Sequence, residues 1–252
     1  MVDQEGAVLR VRLNRPDVRN AFDDSLISEL TGVFRSVASD ARVVVLSGEG
    51  KAFCAGGDLN WMRRTANYSE EENLRDAEAL AELFLAVDEC SCPVIARVQG
   101  AAFGGGLGLV STSDVAIAEE SARFCFSEVK LGLVPSVISQ FAIRKIGESA
   151  ARRYFLTAEV FEAGEAHRIG LVHRVVPMER LDAEVDAVVT AVLSNGPKAV
   201  RTAKTLIRQL RDLTVEEGIA LCTKTIAQAR AGGEGQEGVA AFLEKRKPSW
   251  QD

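Results

Sequence analysis

Four glycines fall within five positions of the segment AAFGGGLGLV, residues 101–110: Gly104, Gly105, Gly106 and Gly108. Inside a helix or strand each costs about 0.5–1 kcal/mol relative to alanine, so the segment must need its bare backbone. Flexible linkers are polar, whereas this segment is flanked by apolar residues. A second segment, VVVLSGEGKAFCAGGDLNWM, shares the layout: a buried-strand run, a short loop, then glycines where a helix would start. Backbone N–H groups at a helix start lack an intrahelical acceptor and carry partial positive charge. Two of them converging on one oxygen would make an oxyanion hole. Close helix–strand packing would ask for the same glycines, and periodicity alone leaves both readings open. Neither segment continues as GK[ST], the phosphate loop, and neither reads G-x-G-x-x-G, the dinucleotide fingerprint.

Other reactive residues have plainer readings. Cys54, Cys90, Cys92, Cys125 and Cys222 are odd in number and scattered, as expected of reduced thiols in a cytoplasmic protein. Cys90 and Cys92 form a lone C-x-C with no matching pair, short of the four ligands of a structural zinc site. The histidines, His167 and His173, have no serine or cysteine motif nearby, so a triad would have to come from the fold. Asp58 follows the second glycine pair and reads as a loop-holding turn residue. Asp114 reads as a pin for the start of a strand. Trp61 and Met62 fit either an acyl pocket or ordinary core.

These segments need a frame. Ala7, Leu9, Val11 and Leu13 alternate as a half-buried strand. Leu26, Ile27, Leu30, Val33, Phe34 and Val37 follow helical spacing, with Asp23, Asp24 and Ser25 as caps. RVVVLSG is a buried strand ending in glycine. Ser69 and Glu72 form a capping-box pattern before a helix carrying Leu74, Ala77, Leu80, Phe84 and Val87 on one face. CPVIARVQG, DVAIA, ARFCF and residues 172–176 read as further strands. ESAARRYFL, FEAGEAHRIG and residues 182–193 fit helices. From Pro197 helices continue, broken at AGGEGQEG. Strand–helix alternation followed by a helical tail predicts an α/β core with an α-helical C-terminal extension. The 252 residues, 47% hydrophobic, suffice for one large domain or a domain plus a small appendage. A net charge of −6 argues against nucleic acid as the main partner. No signal-peptide core and no membrane-length apolar run is evident.

LNRPDVRNAF, GKAFCAGGDL, VQGAAFGGGLGL, FSEVKLGLVP and EGVAAFLEKRKP, in that order, resemble the enoyl-CoA hydratase/isomerase (crotonase) family, from about Leu9 to Pro248. The resemblance implies a crotonase-like core over residues 1–195, a helical extension over 196–252, and a homotrimer or homohexamer. It implies an acyl-CoA thioester as substrate, with coenzyme A part of that substrate and no separate cofactor. It places the two oxyanion donors on Gly57 and Gly105. Arg19, Ala55, Gly57, Asp58, Leu59, Asn60 and Gly105 would meet the CoA ester, and Lys245 the CoA phosphate of a neighbouring subunit. A solvated surface charge is the plainer reading of Lys245.

The family's hydratases carry two acid–base glutamates. Glu128 in FSEVKLG matches the second, while Gly108 occupies the place of the first. Adding water across a double bond needs a base for the water and an acid for the α-carbon. Glu128 alone could shuttle a proton between carbons, as in the family's double-bond isomerases. Alternatively the chain is a hydratase that works without the first glutamate, or a catalytically weak acyl-CoA or RNA binder. GGDLNWMRR, EVKLGLVPSVIS and AARRYFLTAEVFEAGEAHRIGLV resemble bacterial methylglutaconyl-CoA hydratases and hydratases of longer branched glutaconyl-CoA substrates, placing the reaction in leucine breakdown or a related route. The substrate's own distal carboxylate could then fill space left at Gly108, paired with Arg63, Arg64 or Lys130.

Overall fold

The computed structural model describes residues 1–251. Its larger sheet has the order β1-β2-β3-β4-β6-β9. β1 (Val2–Glu5) runs antiparallel to β2 (Val8–Leu13). From β2 outward, β3 (Val43–Gly48), β4 (Val94–Val98), β6 (Val115–Glu119) and β9 (Arg174–Val176) pair in parallel. A smaller sheet holds β5 (Ala101–Phe103), β7 (Arg123–Cys125) and β8 (Phe161–Glu162). Every residue of β3 is buried, as expected for a parallel strand covered on both faces.

The covering helices follow from local chemistry. α1 (Asp24–Arg35) starts where the Asp23 carboxylate accepts from Leu26 N at 3.0 Å. After α2 (Leu59–Thr65), α3 (Glu70–Asp88) opens with both hydrogen bonds of the Ser69–Glu72 capping box. The side-chain alternation of the strands then divides the core. Leu9, Val11, Val44 and Leu46 join Leu30, Leu83 and Phe84 on one face of the large sheet. Val8, Val43, Val45 and Ile95 meet Leu181, Val185 and Val189 on the other. Leu74, expected on the buried face of α3, is exposed because the helix's first turns project beyond this core.

α4 (Gly105–Thr112) follows β5 directly. The Lys145 ammonium donates to the carbonyls of Val110 (3.0 Å) and Ser113 (2.6 Å), supplying donors where α4 ends. α5 (Ser136–Thr157) is longer than the sequence pattern suggested, and breaks at Gly147, whose φ of 73° is left-handed. The single helix read in FEAGEAHRIG is instead β8 followed by α6 (Ala163–Arg168), because Phe161 pairs with Phe124. α7 (Leu181–Leu193) covers the second core face.

The tail is helical: α8 (Pro197–Gln209), α9 (Val215–Ala231) and α10 (Gly233–Glu244). The break expected across AGGEGQEG is confined to Gly232, and α10 begins at the next residue. The Glu234 carboxylate accepts from the N–H groups of Lys198 (2.9 Å) and Ala199 (2.7 Å), tying α10 to the start of α8. Among the described residues no helix is long and apolar enough to cross a membrane.

Candidate active site

The two glycine segments meet. Cys54 N donates to Ala101 O at 3.0 Å and Phe103 N to Cys54 O at 2.9 Å, so the loop after β3 is knitted to β5. Phe22 N donates to Gly56 O (2.7 Å), and Asp58 N donates to Phe22 O (2.8 Å). Gly57 lies between these bonds, and among the described residues its N–H has no hydrogen-bond acceptor. The N–H of Gly105, first residue of α4, has none either. Gly56 and Gly104 have φ of 96° and 48°, in the region that glycine adopts far more readily than other residues. A Cβ built on Gly104 would stand 3.7 Å from Gly56 Cα, so the two turns are in contact.

The donor loops are held from below. Asp58 caps α2, accepting from Asn60 N (2.8 Å) and Trp61 N (3.3 Å), and pairs with Arg15 at 3.1 Å. Burial alone would raise its carboxyl, but those N–H groups and the guanidinium hold it below the usual carboxylate range. Arg15 also pairs with Asp23 at 2.7 Å, joining this cap to that of α1. A Cβ on Gly105 would come within 2.6 Å of the Phe22 ring, and one on Gly106 within 2.4 Å of Cys54 O. Close packing and free donors therefore coexist: the glycines admit their neighbours and leave the N–H groups facing the site.

These donors open onto a cavity of about 230 Å³. Phe22, Trp61, Met62, Leu80, Leu131 and Val137 supply much of its apolar wall; its polar side chains are Ser127, Ser136, Asp76 and Glu128. Glu128 begins the short turn after Ser127, and its Oε1 lies 3.5 Å from the Cβ position of Gly104. Among the described residues its Oε2 is buried without a hydrogen-bond partner. Burial raises the Glu128 carboxyl above the usual range, although a backbone hydrogen bond opposes the shift. Asp76 faces the cavity from α3, beside Ala77 and Leu80, and accepts from Trp61 Nε1 at 3.1 Å. Burial raises its carboxyl as well, against the Trp61 hydrogen bond.

Of the residues singled out in the sequence, Ala55, Gly57, Gly105 and Glu128 line this cavity together, joined by Trp61 and Met62. Asp58 lies beneath it. Leu59 and Asn60 open α2 on the exposed surface, and Arg19 is exposed with its carbonyl accepting from Ala55 N at 3.0 Å. Lys245 is exposed at the end of α10 and does not line the cavity. His173 Nδ1 accepts from Ala116 N at 3.0 Å, and neither histidine reaches the cavity.

Two expectations are corrected. Gly108 leaves no space for a substrate carboxylate. A Cβ there would lie 2.3 Å from Phe84 Cζ and 2.8 Å from Ile138 Cγ2, and Gly108 does not reach the cavity. No arginine or lysine lines the cavity either: Arg64 pairs with Asp24, Arg63 bonds Asn60, and Lys130 lies 3.9 Å from Cys125 Sγ. Asp76 and the two serines were missed. A signal existed for Asp76, which shares a helical stripe with Leu80, Leu83 and Val87 at spacings of four, seven and eleven.

Residues 3–252 match the sequence pattern of the family described as enoyl-CoA hydratase/isomerase. An enoyl-CoA hydratase from Shewanella pealeana superposes with a TM-score of 0.94 at 43% identity, over 99% of this chain and 94% of that one. Pseudomonas aeruginosa AtuE superposes with a TM-score of 0.97 at 34% identity, over 100% and 99%. The 2,3-dehydroadipyl-CoA hydratase of Escherichia coli K12 is 32% identical over 100% of this chain and 98% of its own length.

Proposed function

We propose that this chain, which belongs to the enoyl-CoA hydratase/isomerase family and is a hydro-lyase of the enoyl-CoA hydratase type, hydrates methylglutaconyl-CoA or a related branched glutaconyl-CoA. The observation that carries the catalytic part is the convergence of two acceptor-free N–H groups and one under-bonded carboxyl on a single cavity. The Gly57 and Gly105 N–H groups receive the thioester oxygen, which turns negative as water adds to the β-carbon. Each such donor is worth roughly 3–4 kcal/mol of barrier. Glu128 delivers the proton to the α-carbon of the resulting enolate. Its burial suits it to this task, since a raised carboxyl keeps a proton nearer neutral pH. The Ala55 and Asp58 backbone, with Arg19, Leu59 and Asn60 beside it, forms the path for the CoA arm.

Support for a second carboxylate on the substrate comes from another part of the cavity wall. Ser136, Val137 and Ile138 begin α5 there, and among the described residues the N–H groups of Val137 and Ile138 donate to no acceptor outside the helix. A helix start with a serine hydroxyl receives an anion where no cation is at hand. The Escherichia coli relative is named for a substrate whose acyl chain also ends in a carboxylate. The test is a panel of acyl-CoA esters: methylglutaconyl-CoA should be hydrated at least tenfold more efficiently than crotonyl-CoA. Equal kcat/KM for the two would reject the glutaconyl assignment while leaving the hydratase chemistry in place.

The lone glutamate also suits a double-bond isomerase, and mass-neutral rearrangement of the same esters distinguishes that reaction from water uptake. The assembly we propose is a homotrimer or homohexamer. Phe242, Leu243 and Val215 on the C-terminal helices are 82, 72 and 75% exposed in the single chain, apolar surface that neighbouring subunits would cover. Lys245, two residues beyond Leu243, would then reach a neighbour's CoA phosphate.

A further inference from the structure

We propose that Asp76 is the second catalytic carboxyl of the hydration, taking from α3 the part that the chain does not provide at position 108. This inference rests on the hydratase reading above. Among the described residues, Asp76 and Glu128 are the acidic side chains on the cavity wall, and they come from different elements, α3 and the turn after Ser127. No lysine or arginine shares that wall.

The Asp76 carboxylate is held but not consumed. Its Oδ1 accepts from Trp61 Nε1 at 3.1 Å, and among the described residues it forms no salt bridge. Trp61 in turn leans on the donor loop, because a Cβ at Gly57 would stand 3.1 Å from its ring. One indole thus connects the carboxylate to the backbone that receives the thioester oxygen. The charged groups felt by Asp76 are Asp24 and Arg64, which themselves form an exposed pair and oppose one another. Asp76 therefore keeps an oxygen available to a water molecule between the cavity walls.

The step balances with one water and the two carboxyls. The water O–H bond breaks, its proton passes to the Asp76 carboxylate, and its oxygen bonds to the β-carbon. The π electrons move to the α-carbon and thioester oxygen. The Glu128 carboxylic acid then gives its proton to the α-carbon, closing the new C–H bond. Asp76 is left protonated and Glu128 ionised, and proton exchange with solvent restores the starting pair.

Two reactions of the full chain separate these roles. Hydration of an enoyl-CoA needs both carboxyls. Exchange of the α-proton of a saturated acyl-CoA in D2O needs only Glu128 and the oxyanion donors. Asp76→Asn preserves the acceptor for Trp61 Nε1, so it tests the carboxylate rather than the position of the indole. It should lower hydration kcat at least 100-fold and leave α-proton exchange within threefold of the parent. Glu128→Gln should abolish both. The inference is overturned if Asp76→Asn hydrates within threefold of the parent, or loses exchange in step with hydration. If the parent neither hydrates nor exchanges, the hydratase reading itself fails, and the inference with it.

Discussion

Asp58, beneath the site, and Glu128, on its wall, are treated in opposite ways. Asp58 is surrounded by donors: two backbone N–H groups and Arg15. Glu128 has an oxygen buried with no partner. The first arrangement lowers the proton affinity of a carboxyl and the second raises it. The wall that presents N–H donors is built to stay still, with its carboxylate spent on holding a loop. The wall proposed to move protons leaves its carboxyl short of hydrogen bonds, at a cost to folding. One residue type thus serves rigidity or reactivity according to how many donors surround it.

The largest test of that contrast is Glu128→Gln. Loss of the proton donor should lower kcat by about 10²–10⁴-fold, read in a steady-state hydration assay. The same change should make the fold more stable at neutral pH. A carboxyl raised by burial contributes stability below its unfolded value of 4.5 and forfeits it as pH rises through the folded value. The Tm advantage of Glu128→Gln over the parent should therefore be small near pH 4 and grow toward pH 8, in a series of thermal melts. A constant advantage would show that burial of charge is not its source.

Gly105→Ala should rank next. Its Cβ meets the Phe22 ring at 2.6 Å, so the fold should lose about 1–3 kcal/mol from overpacking, visible as a lower midpoint in urea. Because the same backbone carries a proposed oxyanion donor, kcat should fall by about 10²-fold even where the variant is fully folded. Asp58→Asn should have the smallest effect, about 1 kcal/mol. Its pH dependence runs the other way from that of Glu128. A lowered carboxyl contributes stability above its unfolded value of 3.8 and loses it as pH falls through the folded value. The Asp58→Asn deficit should be full at pH 7 and close in acid.

Much of the frame was legible because its signals are local. The Ser69–Glu72 capping box, the Asp23 cap and the continuous apolar run of β3 each carry their cause within a few residues. The glycine excess raised a donor pair as one of two readings, and the family resemblance assigned it to Gly57 and Gly105; close packing and acceptor-free N–H groups occur at those glycines together. Tertiary context decided the rest. Phe161 is a strand residue because Phe124 lies beside it, and Gly232 alone separates α9 from α10 because Glu234 reaches back to α8. Gly108 illustrates the same limit within the site. The family resemblance marked an absent glutamate there, but only the fold shows that Phe84 and Ile138 fill the position. Asp76 was overlooked because a charge beside an apolar helical stripe resembles an ordinary solvated edge until the opposite wall is in place.

The Phe84 ring against Gly108 also constrains how such a site can change over generations. A glutamate cannot be placed at position 108 by one substitution without displacing the ring, because its Cβ alone would overlap it. A smaller residue at position 84 must come first or together with it, and taken alone that step would leave a hole in the core, costing about 3–5 kcal/mol for loss of a buried phenylalanine. Neither single step is favourable, so the two positions are locked as a pair. Packing and chemistry meet in that contact: while the ring fills this space, any second acid has to come from another part of the cavity wall.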